Sequence, residues 1–144
     1  MKNAGIYFTV FLFGASLYPI IEITTRGYTH WSMMLTGGAA FLSFYIIYKF
    51  TERKSNFVKA FYGMFAVTSL ELTVGLIVNR CFNMNVWDYS GMKFNLFGQI
   101  SLAFSACWYA ISFVSFCIFD ITDFISSELK SSIQQRRDLA PQQK

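Results

Sequence analysis

Charge is what this sequence has least of. Only 14% of its 144 residues are Asp, Glu, Lys or Arg, against roughly 25% in soluble domains. A chain so poor in charge and 54% hydrophobic cannot clothe a water-facing surface, which excludes an ordinary soluble domain. Cysteine is scarce too. Cys81, Cys107 and Cys117 are odd in number and lack metal-ligand spacing, so they frame neither disulfides nor zinc. They read as small apolar residues. The single histidine, His30, falls short of the three or four N or S ligands of a zinc site. The phosphate-cradling pattern G-x-x-x-x-G-K-[ST] is missing, and so are a nucleophile elbow and an ordered triad spacing. The sequence therefore predicts no enzyme, no metal site and no cofactor.

What it has instead is long apolar runs. Four of them, at residues 3–21, 31–48, 60–79 and 94–119, approach or exceed the ~20 residues that cross a bilayer. The third is interrupted only by Glu71, and the fourth carries no charge. Lys2, the apolar core and Gly14, Ala15 and Ser16 give the first run some features of a signal peptide. Its continuation to Ile21 favours a retained helix. The expected fold is all-α: an integral membrane bundle of four transmembrane helices in two hairpins.

Lysine and arginine set the expected orientation. Nine (Lys2, Lys49, Arg53, Lys54, Lys59, Lys130, Arg136, Arg137 and Lys144) lie on one side of the bundle, and three (Arg26, Arg80 and Lys93) on the other. Both termini and the loop between helices two and three are thus expected in the cytoplasm, with loops 22–30 and 80–93 outside. The basic excess is a topology signal reinforced by anionic lipid, and no nucleic acid is implied. The expected division is a transmembrane domain over residues 1–119 and a cytoplasmic extension over 120–144. That extension is amphipathic through Ile121, Phe124, Ile125 and Leu129, and loose and polar from about Gln134.

Glu71 is the most informative residue. A carboxyl near the bilayer centre costs roughly 2.5–3.5 kcal/mol on insertion scales unless it is protonated, paired or hydrated. Thr68, Gly75 and Asn79 share its helical face, forming a polar, small-residue stripe that should face other helices or water. Glu71 is either a proton- or solute-handling acid or interhelical glue. Ser101, Ser105, Trp108 and Ser112 fall on one stripe of helix four, whose hydroxyls bond across helices or line a polar path. Glu22 and Arg26 have ion-pair spacing if helix one persists. His30 could lie beside Glu22 or Asp88, and Trp31 and Trp87 read as an aromatic belt. Gly37, Gly38, Ala39 and Ala40 permit close helix packing.

The stretch "NVWDYSGMKFNLFGQI", residues 85–100, places a dense polar cluster at the mouth of the fourth run. Trp87, Asp88, Tyr89 and Ser90, then Asn95, Gly98, Gln99 and Ile100, resemble the signature of the bacterial membrane family labelled putative ABC-transporter type IV permease. That signature is W-D-Y-S followed by N-x-x-G-[QR]-I. "IEITTRGYTHWSMMLTGGAAF" and "SLELTVGLIVN" extend the resemblance, which covers about residues 5 to 115. Residues 16–18, "SLY", depart from the G-W-x-x-E of larger members. The resemblance implies a membrane transport component in a bacterial plasma membrane, with any ATPase on a separate chain.

Two functions are expected of such a chain. One is a small permease-like subunit for a small solute or ion, with Glu71 as its central acid. Glu22, Arg26, His30, Arg80, Trp87, Asp88, Tyr89, Asn95 and Gln99 would form its outer vestibule or a structural polar cluster. In that picture Asp88 pairs with Arg80 or Arg26, while Asn95 and Gln99 begin helix four and point at the stripe from Thr68 to Asn79. The other function is a non-transport membrane interaction or assembly protein of prophage, holin-like type. The expected partners are the lipid bilayer and a homo-oligomer, or a separate ATPase or membrane subunit.

Overall fold

The computed structural model describes residues 2–139. Among them, four helices are long and apolar enough to cross a membrane. They are α1 (Lys2–Arg26), α2 (Trp31–Phe50), α3 (Asn56–Gly75) and α4 (Leu102–Leu139). α3 runs on into a π-helical turn, Leu76–Cys81. Two short strands, β1 (Asn95–Leu96) and β2 (Ile100–Ser101), pair antiparallel ahead of α4.

Local chemistry sets the helix ends. α1 runs past Ile21 to Arg26, and the Gly27 N–H closes it on the Ile23 carbonyl at 3.0 Å. Gly27 has φ +80, the left-handed cap that glycine adopts without a Cβ penalty. His30 precedes α2 in extended backbone, and its Nδ1 accepts from the Ser32 N–H at 3.3 Å. α4 begins at Leu102, eight residues later than the apolar run suggests. The intervening residues form the strand pair and its turn, so Asn95 and Gln99 lie before the helix rather than on it. Far along the chain, α4 stays helical through Leu139, so residues 134–139 of the expected loose tail are helical. Residues 140–144 lie outside the described residues.

The hairpins form where small residues let helices approach. A Cβ on Gly14 would collide with the Gly37 carbonyl and Phe41, and one on Gly38 would come within 2.7 Å of the Phe11 ring. These contacts seat α1 on α2. α3 meets α4 where Gly63 faces Ser112, with 2.5 Å from a Cβ to the hydroxyl oxygen, and where the Thr68 hydroxyl donates to that of Ser105 at 3.1 Å. The core joins Phe44, Val67, Trp108 and Phe116 across α2, α3 and α4. Phe44 meets Phe116 edge to face at 5.9 Å. Outward surfaces carry large exposed apolar side chains, among them Phe13, Phe61, Phe65 and Val114, as lipid-facing helices do.

Candidate functional site

The signature residues build one loop, and each does a specific backbone job. Asp88 accepts the Ser90 N–H at 2.8 Å on one oxygen and the Ser90 hydroxyl at 2.8 Å on the other, closing an Asx turn. The Asn95 amide donates to the Met92 carbonyl at 2.8 Å and the Ser90 carbonyl at 3.2 Å, while its oxygen accepts the Gly98 N–H at 3.1 Å. Asn95 thus staples the turn and competes with helix formation there. Gly98 sits at φ +70, and a Cβ on it would stand 2.7 Å from Asp88 Oδ1. The Tyr89 N–H donates to the Gly98 carbonyl at 2.7 Å, and its ring stacks on Phe104 at 4.5 Å.

The loop is then bolted to the end of α3 by Asn79. Its amide donates to the Gln99 side-chain oxygen at 2.8 Å and the Trp87 carbonyl at 3.0 Å, and its oxygen accepts the Val86 N–H at 2.7 Å. The Trp87 indole N–H reaches the Gln99 carbonyl at 3.0 Å. All three of these side chains are buried. Gly75 makes room, since a Cβ there would lie 2.5 Å from the Gln99 side-chain oxygen and 3.0 Å from the Trp87 ring. The π turn carries Val78 and Asn79 inward into this contact.

Several expectations are corrected here. Asp88 takes neither arginine as an ion-pair partner. Arg26 pairs with Glu22, and Arg80 donates to the Phe97 carbonyl at 3.1 Å. The Ser90 donors, more than the charge of Arg80, hold the Asp88 carboxyl below its usual range. Of the two amides, Gln99 reaches the α3 stripe, whereas Asn95 bonds within its own loop. His30 caps α2 and makes a 2.8 Å contact with the Ser32 hydroxyl rather than lying against an acid. Trp31 is exposed, as a belt residue would be, but Trp87 is core. Ser101 sits on β2, off the α4 stripe.

Glu71 is different. It is 2% exposed, and Thr68 beside it bonds Ser105. Its Oε2 is buried without a hydrogen-bond partner. Its nearest donor is the buried Trp108 indole N–H, which faces the acid without closing a well-formed hydrogen bond. Tyr18 stacks on Trp108 at 5.8 Å. Toward the polar-loop end stands the Glu22–Arg26 pair. Glu22 takes Arg26 on one oxygen and the Thr29 hydroxyl, at 2.5 Å, on the other. Tyr18, Trp108, Glu22 and Arg26 all line a cleft of about 660 Å³ between α1 and α4.

A cluster missed by the sequence reading lies at the basic-loop end. The Tyr48 hydroxyl stands 2.9 Å from Asp120 Oδ1 and 3.2 Å from Asp123 Oδ2. Lys49 pairs with Asp123 at 3.0 Å, and the Asn56 amide donates to Asp120 at 2.6 Å. Lys59 lies 4.6 Å over the Tyr48 ring. The spacing of Asp120 and Asp123, one helical turn apart just beyond the apolar run, was the available signal.

Four membrane-length apolar helices, closed by a self-satisfied polar loop, define a multi-pass membrane protein. The chain belongs to the family described as "Putative ABC-transporter type IV", which matches residues 20–138. That match starts later than the sequence resemblance and extends further, taking in Asp120, Asp123 and most of α4. No curated protein and no solved structure matches the chain.

Proposed function

We propose that this chain is a small permease-like subunit of a bacterial plasma membrane, with both termini cytoplasmic and Glu71 as the acid its solute or ion depends on. One observation carries the reading. Buried polar groups in a settled fold are bonded, yet Glu71 Oε2 and Trp108 Nε1 face one another, both buried, without closing a well-formed hydrogen bond, and Trp108 lines a cleft. An acid acting only as glue would be held by well-formed hydrogen bonds. The signature loop, whose polar groups are consumed by its own fold, serves in this reading as a structural cap. The chain catalyses nothing itself, and any ATPase is a separate subunit.

The test is flux of protons or monovalent cations into dye-loaded liposomes under an imposed potential. The wild-type protein should conduct above protein-free liposomes, and Glu71→Gln should lower the flux by an order of magnitude or more while its melting midpoint holds. A Glu71→Gln protein that conducts like wild type, or a wild-type protein that does not conduct, would overturn the reading.

A second reading, as a membrane assembly protein, draws on one feature. Beyond the lock to Asp123, α4 keeps Phe124, Ile125, Leu129 and Ile133 exposed.

A further inference from the structure

α1 packs chiefly on α2, and α4 on α3. The outer flanks of α1 and α4 stay apart, and the cleft of about 660 Å³ runs between them. Phe13, Leu17 and Ile21 of α1 wall one side, and Ile111, Val114 and Ile118 of α4 the other. All six side chains are exposed. Both walls belong to helices of membrane length, so the opening faces lipid chains rather than water. From Phe13 to Arg26, α1 rises about 20 Å, slightly more than the ~15 Å of hydrocarbon in one leaflet.

The polar end of the cleft gives the occupant a head. Glu22 has both oxygens engaged, by Arg26 and Thr29. Arg26 directs Nη2 to Glu22 and Nη1 to the Val86 carbonyl at 3.5 Å, and its Nε is buried without an acceptor. With 28% of its side chain exposed and Nη1 held only by a 3.5 Å contact, the guanidinium is the function open at this end, and it takes an anionic acceptor. An apolar trough of about one-leaflet length that ends at a part-exposed guanidinium matches one bilayer component. We infer that the cleft is a lateral binding site for a phospholipid, with its phosphate at Arg26 and one acyl chain lying between α1 and α4 over Tyr18 and Trp108.

The inference stands apart from the role of Glu71, and its test separates the two. The full-length protein in maltoside micelles is given a few equivalents of phosphatidylglycerol carrying a photoreactive group midway along one chain. Labelled positions are then mapped by mass spectrometry. Label should concentrate on the six cleft-wall residues and be several-fold weaker at Phe61 and Phe65, which are exposed on α3. Val114→Trp, filling the trough from an exposed position, should cut the cleft label several-fold. Arg26→Lys keeps a cation for Glu22 but replaces the planar guanidinium fork by a single ammonium, so it should weaken labelling by the phosphatidylglycerol probe and spare labelling by a diacylglycerol probe. Glu71→Gln should leave the label where it is, so loss of flux in that variant with labelling intact would leave this site standing. Label spread evenly over all apolar faces, or cleft label indifferent to Val114→Trp, would overturn the site. Equal loss or equal retention of both probes in Arg26→Lys would overturn its phosphate-reading end.

Discussion

Asn79 and Glu71 stand on one face of the third helix, about 12 Å apart along its axis, and the fold treats them oppositely. Asn79 has both amide hydrogens and its oxygen engaged by Gln99, Trp87 and Val86. Glu71 is as deeply buried, yet its Oε2 only faces the Trp108 indole and closes no well-formed hydrogen bond. A polar group whose every capacity is used holds structure, because breaking it strands its neighbours. A group held this loosely is available for something else. The contrast divides the conspicuous polar residues of this chain into a cap and a candidate working acid.

The sharpest way to break that division is at Asn79. Asn79→Ala strands the Gln99 side chain, the Trp87 carbonyl and the Val86 N–H in a buried setting. At ~1 kcal/mol or more for each stranded group, it should cost about 3 kcal/mol or more. Unfolding in detergent would show this, together with protease cutting in the 82–98 loop. A mild effect would mean the loop is held by apolar packing alone. Next comes Gly98→Ala, which places a Cβ at φ +70 and 2.7 Å from Asp88 Oδ1. About 2 kcal/mol of destabilisation is expected, with the double change Gly98→Ala, Asp88→Ala recovering part of it. No recovery would remove Asp88 as the neighbour that matters.

At the opposite end, Tyr48→Phe deletes the hydroxyl bonded to Asp120 and Asp123 and should cost about 1 kcal/mol. It should also loosen α4 beyond Asp120, which hydrogen exchange would detect. Smaller again is Asp88→Asn. The Ser90 donors hold the Asp88 carboxyl below its usual range in the folded protein. Its contribution is therefore complete above the ordinary carboxylate pKa and fades as pH falls through the depressed folded value. The gap between wild type and Asp88→Asn should be open near neutrality and close in acid. An arginine-to-acid charge swap should give no rescue, since neither Arg26 nor Arg80 pairs with Asp88.

Much of this was legible in the sequence. Four apolar runs gave four helices, because hydrocarbon thickness allows few other structures. Thr68, Glu71 and Gly75 pointed inward because helical spacing dictates it, whereas Asn79 is carried inward by the π turn. The start of α4 was misjudged because "FNLFGQIS" is nearly as apolar as a helix, and hydropathy is blind to backbone direction. Asn95 and Gly98 carried the contrary signal, three residues apart and both turn formers. The π turn at Leu76–Cys81 was not readable, since it depends on the loop that folds over it. Asp120 and Asp123 were passed over because they look like the polar boundary of a membrane helix. Their partners Tyr48 and Asn56 are far away in sequence, and only tertiary packing brings them together.

The most direct test of the division is the unfolding free energy of Glu71→Leu beside that of Asn79→Leu. Leucine keeps roughly the bulk of either side chain and removes its polar groups. If Glu71 is only loosely held by the Trp108 indole, little is lost, and exchanging a buried carboxyl for hydrocarbon can be neutral or stabilising. The account predicts that Glu71→Leu stays within about 1 kcal/mol of wild type while Asn79→Leu loses about 3 kcal/mol or more. Equal, large losses in both would show that Glu71 is bonded glue like Asn79, and would contradict the account.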